Sequence, residues 1–218
     1  WHTCEPDKIG NEGWLGHTVR DLDPEKENVL TGVNFGRGLP RALTLTSVPI
    51  ASVGDLDNYG VMTSISEEKD RNDLLTSFKQ MYASSIGTGP VMDYLKQTGV
   101  DVMKGADRLR DAPARYSSEV EYSDNPIAKS LKDIVRVHLA NLGTRIFYTT
   151  HGGYDTHSNE MPTHPGLLSD LSGAIMDFFQ DLWDHHASEE VVMLVFTEFG
   201  RRMQDNGSGT DHGSGGGA

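Results

Sequence analysis

Apolar residues recur at helical spacing in several stretches of the chain. A short helix is predicted around Trp14 and Val19, and a longer helix is predicted to begin at Ser66, a residue type that caps helix N-termini. The same spacing predicts a further helix over 90–110. Residues 64–112 are therefore predicted to be largely helical.

The last third of the chain is predicted to alternate between helices and strands. Asn125 and Pro126 form a typical helix start, because the first turn does not use the amide hydrogen that proline lacks. The β-rich run 144–150 is predicted to be a strand, and Pro165 is predicted to open the next helix. The apolar run 190–197 is predicted to be a strand covered on both faces.

Two strands joined by a helix are almost always parallel, with a right-handed crossover. The loops that follow 144–150 and 190–197 are therefore predicted to lie at the same edge of one sheet. In open α/β sheets this edge is where functional sites form. The predicted fold class is α/β, with a mostly parallel central sheet flanked by helices.

Residues that can bind a metal are concentrated in these two loops. The first loop contains Asp155 and His157, and the second contains Glu198, Asp211 and His212. Carboxylate oxygens and imidazole nitrogens are common ligands of divalent cations. The sequence therefore predicts a site for one or two divalent ions, with zinc, manganese and calcium as the candidates.

A structural interpretation of the same residues stands beside this one. Asp155 and Asp211 are residue types that stabilise turns, and His157 can be an ordinary loop histidine. On that interpretation the chain has no metal affinity above background. Glu198 has three open roles: a metal ligand, a partner of a ligand, or the partner of a nearby arginine.

Two arginines, Arg201 and Arg202, follow the second predicted strand. They are predicted either to bind an anionic group of a substrate or to form salt bridges at the surface. The sequence leaves both alternatives open.

Composition excludes several classes of protein. The net charge of −13 argues against a nucleic-acid partner, because binding to phosphates requires clustered Lys and Arg. No apolar run is long enough to cross a membrane. The single cysteine, Cys4, excludes an internal disulfide framework and a cysteine-based zinc cluster. Any metal is therefore expected to be held by histidines and carboxylates.

Four stretches carry a family resemblance: "WHTCEPDKIGNEGWLGH", "GGYDTH", "TEFGRR" and "TDHG". In this order and spacing the chain resembles the bacterial domain-of-unknown-function family 1501, whose members are sulfatase-like and are placed near the alkaline phosphatase superfamily. The likeness extends over essentially the whole chain. It implies that residues 1–218 form one incomplete alkaline-phosphatase-like sandwich domain, with 64–112 as a helical insertion or cap and 126–212 as the strand–helix–strand core that carries the site.

The resemblance also implies a function: metal-dependent hydrolysis of a phosphate or sulfate ester of a small molecule or glycan. Asp155 and His157 match the ligands that follow one strand of the superfamily, and Asp211 and His212 match a later loop. Glu198 matches the acidic position after the next strand, although "EF" stands here where the superfamily has an Asp-His pair.

Relatives in this family usually carry an export signal and further strands at both ends. The resemblance therefore predicts an exported, periplasmic protein of which this chain lacks both ends, with the nucleophile in the missing N-terminal part. The alternative function is an exported binding or assembly protein that keeps the sulfatase-like fold without catalysis.

Overall fold

The computed structural model describes residues 2–4, 7, 10, 12–46, 48–57, 59, 67–83, 89–197 and 199–216. The chain forms two compact units. The first unit comprises Trp1–Tyr116 and Arg136–Tyr148, and the second comprises Ser117–Val135 and Thr149–Ala218. No helix of the described residues combines the length and the apolar character that a bilayer crossing requires.

The described residues contain both helices and strands. The helices are α1 (Trp14–Leu22), α2 (Glu68–Ala83), α3 (Pro90–Arg110), α4 (Pro126–Leu139) and α5 (Glu160–Asp184). The strands are β1 (Gly32–Phe35), β2 (Ala51–Val53), β3 (Ile146–Thr149), β4 (Arg201–Asp205) and β5 (Thr210–His212).

The first unit is built on a three-stranded parallel sheet with the order β2-β1-β3. Val33 lies opposite Ala51, and Phe35 lies opposite Val53. All four residues of β1 are buried, as expected for a central strand of a parallel sheet. The predicted α/β class with a parallel sheet is therefore confirmed.

Each unit has its own apolar core. In the first unit the most deeply buried large side chains are Leu30, Val33, Leu43, Val53, Leu56, Leu109 and Val137. In the second unit α5 buries Ala174, Phe178 and Leu182, and α4 buries Ile127, Ala128, Leu131, Ile134 and Val135.

Local sequence signals set the start of α4 as predicted. The side-chain oxygen of Asn125 accepts a hydrogen bond from the amide of Ala128 at 2.9 Å, which satisfies one free donor of the first turn. Pro126 is the first helical residue, where its missing amide costs nothing. The two helices predicted within 64–112 are present as α2 and α3, and Ser66, the predicted cap, lies outside the described residues.

Helix α5 begins at Glu160, so the predicted start at Pro165 is wrong. The amide of Glu160 donates to the carbonyl of Ser208 at 3.0 Å, and its carboxylate accepts a hydrogen bond from the Thr210 hydroxyl at 2.9 Å. These contacts hold the first turn in place. They offset the one helical hydrogen bond that Pro165 cannot donate.

The predicted strand 190–197 is also wrong. Residues 191–197 form no strand with any other described residues, and Val192 and Leu194 are 97% and 68% exposed. An apolar run becomes a strand only when a neighbouring strand pairs with its backbone groups. Within the described part of the chain no such neighbour is present, so the predicted parallel pair is not formed.

An antiparallel hairpin that the sequence analysis did not predict follows this run. Strands β4 and β5 pair with Arg201 opposite His212 and Asp205 opposite Thr210. The chain reverses at Asn206 and Gly207, where Gly207 has a positive φ of 98°. Asn-Gly is a strong hairpin signal, because both residue types tolerate this backbone region.

Candidate metal centre

Three side chains that could hold a metal ion are brought together by the loop between β3 and α5 and by the β4–β5 hairpin. Asp155 and His157 lie on the loop, and His212 lies at the end of β5. One ligand atom from each residue lies within 4.8 Å of the other two. All three side chains are exposed to solvent. The structure thus unites, at one point, residues from the two segments that the sequence analysis selected.

The cluster is centred on the Oδ1 atom of Asp155. The Nε2 atom of His212 lies 2.7 Å from this oxygen, and the Nε2 atom of His157 lies 3.1 Å from it. The two imidazole rings are tilted by 30°, with their centroids 4.8 Å apart. One carboxylate oxygen and two imidazole nitrogens form a donor set that suits zinc and similar divalent cations.

A close backbone contact at Gly209 sets the distance between the loop and the hairpin. A Cβ atom at this position would overlap the carbonyl oxygen of Thr156 and would lie 2.7 Å from the carbonyl carbon of His157. Real Cβ atoms essentially never approach that closely. Only glycine therefore allows β5 to lie near enough to place His212 beside Asp155.

Arg201 ties the loop to the hairpin. Its guanidinium donates to the Thr210 carbonyl at 2.9 Å, to the Tyr154 carbonyl at 2.7 Å and to Oδ1 of Asp155 at 2.9 Å. Arg202, by contrast, is exposed. That both arginines bind a substrate anion stays a prediction, and the contacts of Arg201 leave Arg202 as the more accessible of the two.

Asp211 lies behind His157. Its Oδ1 atom is 3.2 Å from the Nδ1 atom of His157, the ring nitrogen opposite the one that faces Asp155. A carboxylate in this position commonly orients a metal-binding histidine. The same oxygen accepts a hydrogen bond from the Asn206 amide at 3.2 Å. Asn206 was not predicted as a site residue. The sequence "DNGSG" at 205–209 is a turn signal that would have indicated that Asn206 lies in the turn of a hairpin.

The surrounding groups keep both carboxylates ionised. The hydrogen bond from His212 lowers the pKa of Asp155, and the charge of His157 and the hydrogen bond from Arg201 lower it further. The hydrogen bond from His157 lowers the pKa of Asp211, with a second contribution from Asn206. Deprotonated carboxylates are the form that binds a metal.

Tyr154 fixes the chain directly before Asp155. Its hydroxyl lies 2.9 Å from Nδ1 of His151 and donates to the Leu167 carbonyl at 3.3 Å. Burial raises the pKa of Tyr154, and the nearby charge of Asp170 adds to the effect. The phenol therefore stays protonated and anchors the loop to α5.

Glu198 lies outside the described residues. Its predicted role as a metal ligand or as a partner of a ligand stays a prediction.

A family model described as "Protein of unknown function (DUF1501)" matches residues 6–217. No curated protein and no solved structure matches the chain. The matched range includes Asp155, His157, Asp211 and His212. Because the match extends over nearly the whole chain, the protein belongs to the DUF1501 family.

Proposed function

We propose that this protein is a metal-dependent hydrolase of phosphate or sulfate esters, with Asp155, His157 and His212 as metal ligands. The observation that carries the proposal is the convergence of their three donor atoms within 4.8 Å. The resemblance of the sequence to sulfatase-like proteins of the alkaline phosphatase superfamily supports the reaction class, the sandwich fold and the export of the protein from a bacterial cell.

The donor set favours zinc over calcium. Two of the three donors are imidazole nitrogens, which suit zinc and its neighbours, whereas calcium requires six to eight oxygen ligands. Catalytic zinc sites typically have three protein ligands and one open position, and structural zinc sites have four protein ligands. The exposure of all three residues supports an open, catalytic type of site.

A metal bound here would supply Lewis acidity: it would polarise an ester oxygen and stabilise charge on the attacking and leaving oxygens. The chain's own residues would hold and orient the reacting groups. Arg201 fixes the position of the Asp155 carboxylate through their hydrogen bond. Arg202 is exposed, and its charge acts on Asp211 at the edge of the cluster. A guanidinium in that place is suited to bind an anionic ester.

The first test is zinc binding by the metal-free protein, measured by calorimetry and by elemental analysis. The double variant Asp155→Ala/His212→Ala removes two proposed ligands. His17→Ala serves as the matched control, because it removes an imidazole that pairs with Glu12 outside the cluster. We expect about one equivalent of zinc in the unsubstituted protein and in the control, and none in the double variant.

The second test is hydrolysis of p-nitrophenyl phosphate and p-nitrophenyl sulfate by the zinc-loaded protein. Zinc-dependent turnover that is lost in the double variant would support the hydrolase. In a zinc-loaded protein that also carries the predicted nucleophile, zinc binding without turnover of either ester would favour the alternative function, an exported binding or assembly protein. If the unsubstituted protein binds no zinc, manganese or calcium, the proposed metal centre is wrong.

A further inference from the structure

The side chain of Asn206 connects the hairpin turn to the backbone of His157 directly and to the ring of His157 through Asp211. Its amide nitrogen donates to the backbone carbonyl of His157 at 3.0 Å and to Oδ1 of Asp211 at 3.2 Å. Its amide oxygen accepts hydrogen bonds from the backbone amides of Ser208 at 3.1 Å and Gly209 at 2.9 Å. All the hydrogen-bonding groups of one side chain are thus engaged.

These four partners fix the orientation of the Asn206 amide. A carbonyl and a carboxylate only accept hydrogen bonds, and two backbone amides only donate them. Exchanging the nitrogen and oxygen of the side chain would therefore place acceptor against acceptor and donor against donor. The amide nitrogen must face Asp211 and His157.

The position of the Asp211 carboxylate, which Asn206 fixes, affects which ring nitrogen of His157 carries the hydrogen. The Oδ1 atom of Asp155 already accepts hydrogen bonds from His212 and Arg201. Asp211 is the other carboxylate beside the ring, and it lies at Nδ1. Asp211 therefore favours the neutral tautomer of His157 with hydrogen on Nδ1, in which Nε2 keeps the lone pair that a metal would require.

We propose that Asn206 is a positioning residue that acts through Asp211. It holds His157 in the tautomer with hydrogen on Nδ1 and thereby raises the affinity of the site for a divalent cation of the zinc class. This inference rests on the proposed metal function and adds the residues that prepare one of its ligands for binding.

The experiment compares three variants of the full chain. Asn206→Asp keeps the shape of the side chain but turns the donor that faces Asp211 and the His157 carbonyl into an acceptor. Asp211→Ala removes the acceptor at Nδ1 and leaves the turn contacts of Asn206 intact, which keeps the test informative if Asn206→Asp does not fold. Asp205→Ala is the control, because Asp205 accepts a hydrogen bond from Gly207 in the same turn and makes no hydrogen bond to His157.

The first readout is the tautomer of His157 in metal-free, ¹⁵N-labelled protein, obtained from long-range ¹H–¹⁵N correlation at a pH where the ring is neutral. We expect hydrogen on Nδ1 in the unsubstituted protein and in Asp205→Ala. In Asn206→Asp and Asp211→Ala we expect a shift towards hydrogen on Nε2. The second readout is zinc affinity by competition with a chelator, where both variants are expected to bind about 10- to 100-fold more weakly.

The experiment distinguishes failure of the positioning role from failure of the proposed metal function. An unchanged tautomer and an unchanged zinc affinity in Asp211→Ala and in folded Asn206→Asp would overturn the positioning role, while the metal site would stand. Absence of zinc binding by the unsubstituted protein would instead overturn the proposed metal function itself.

Discussion

Two clusters in the second unit combine a carboxylate with histidine, and they differ in almost every other respect. Asp155 is exposed and has the Nε2 atoms of His157 and His212 within 3.1 Å. Asp181 is fully buried and accepts hydrogen bonds from the Ser118 hydroxyl at 2.7 Å and the Tyr122 hydroxyl at 2.8 Å.

The histidine at the buried cluster has a different use for its second nitrogen. Nδ1 of His185 lies 2.8 Å from the backbone carbonyl oxygen of Asp181 and 3.2 Å from its carboxylate, and Nε2 lies 3.0 Å from the carbonyl of Ser117. Nε2 thus fastens Ser117 to the C-terminal end of α5, while Nδ1 contacts Asp181 of the same helix. At the exposed cluster, by contrast, two imidazole nitrogens point at one solvent-accessible carboxylate. Residue types alone therefore do not indicate a candidate metal site. The solvent exposure of the cluster and the contact made by the second ring nitrogen of each histidine must also be considered.

The largest expected effect is loss of stability in Asp181→Ala. The substitution removes the buried acceptor of the Ser118 and Tyr122 hydroxyls, whereas the His185 ring keeps the backbone carbonyl of residue 181. We expect the free energy of unfolding to fall by about 3–5 kcal/mol, measured by urea denaturation. Asp184→Ala, at an exposed position of the same helix, is the control and should change little. Equal losses in the two variants would contradict the assignment of Asp181 as a structural anchor.

For Asp155→Ala we expect a large loss of zinc affinity and little loss of stability. Zinc affinity should fall by more than about 100-fold, because a direct ligand is lost rather than a residue that orients one. The stability of the metal-free protein should change little, because the side chain is exposed. Chelator competition and urea denaturation on the same sample separate the two effects. Strong destabilisation without loss of zinc affinity would mean that both clusters are structural.

Removal of one donor from the buried cluster should have a moderate effect. Ser118→Ala deletes the 2.7 Å hydrogen bond to Asp181 and the 3.1 Å hydrogen bond that the hydroxyl accepts from the Val120 amide, and it leaves the hydrogen bond from Tyr122 in place. We expect a loss of about 1 kcal/mol in the free energy of unfolding. Ser172→Ala, which removes an exposed bond to the Ser169 carbonyl, provides the comparison. A loss as large as that in Asp181→Ala would contradict the assignment of Asp181 as the residue that anchors this cluster.

The smallest expected effect is on the ionisation of Asp155. Its pKa should lie below the usual range of aspartate, and His212→Ala should raise it, because the His212 hydrogen bond is the main cause of the shift. The folded-state pKa is lowered, so the associated stability is present above the ordinary pKa and is lost as the pH falls through the lowered value. A ¹³C NMR titration of the carboxyl carbon measures this. An unaltered pKa in His212→Ala would rule out that cause.

Local signals predicted the fold where local contacts decide it. Asn125 and Pro126 predicted the start of α4 because the capping contact spans only three residues. The starts of other elements depend on distant partners. Glu160 is held by Ser208 and Thr210, and no pattern near Pro165 contains that information. The run 190–197 was misread as a strand because apolar composition does not report whether a neighbouring strand is present.

The candidate site was predictable in its residue types but not in its construction. The prediction rested on residues of metal-ligand type close to predicted strand ends. The structure brings three of them together: Asp155, His157 and His212. It does so through the β4–β5 hairpin, not through two parallel strands. Asp211 was predicted as a ligand, and its place at Nδ1 of His157 depends on a contact between residues 54 positions apart.

The contact at Gly209 bears on how other members of the family are interpreted. Gly209 carries no functional group, yet its missing side chain permits the approach of β5 to Thr156 and His157. A relative that keeps Asp155, His157 and His212 but has a larger residue at this position would retain every ligand and still lack the site. Assigning metal binding across the family therefore requires inspection of this glycine together with the ligands.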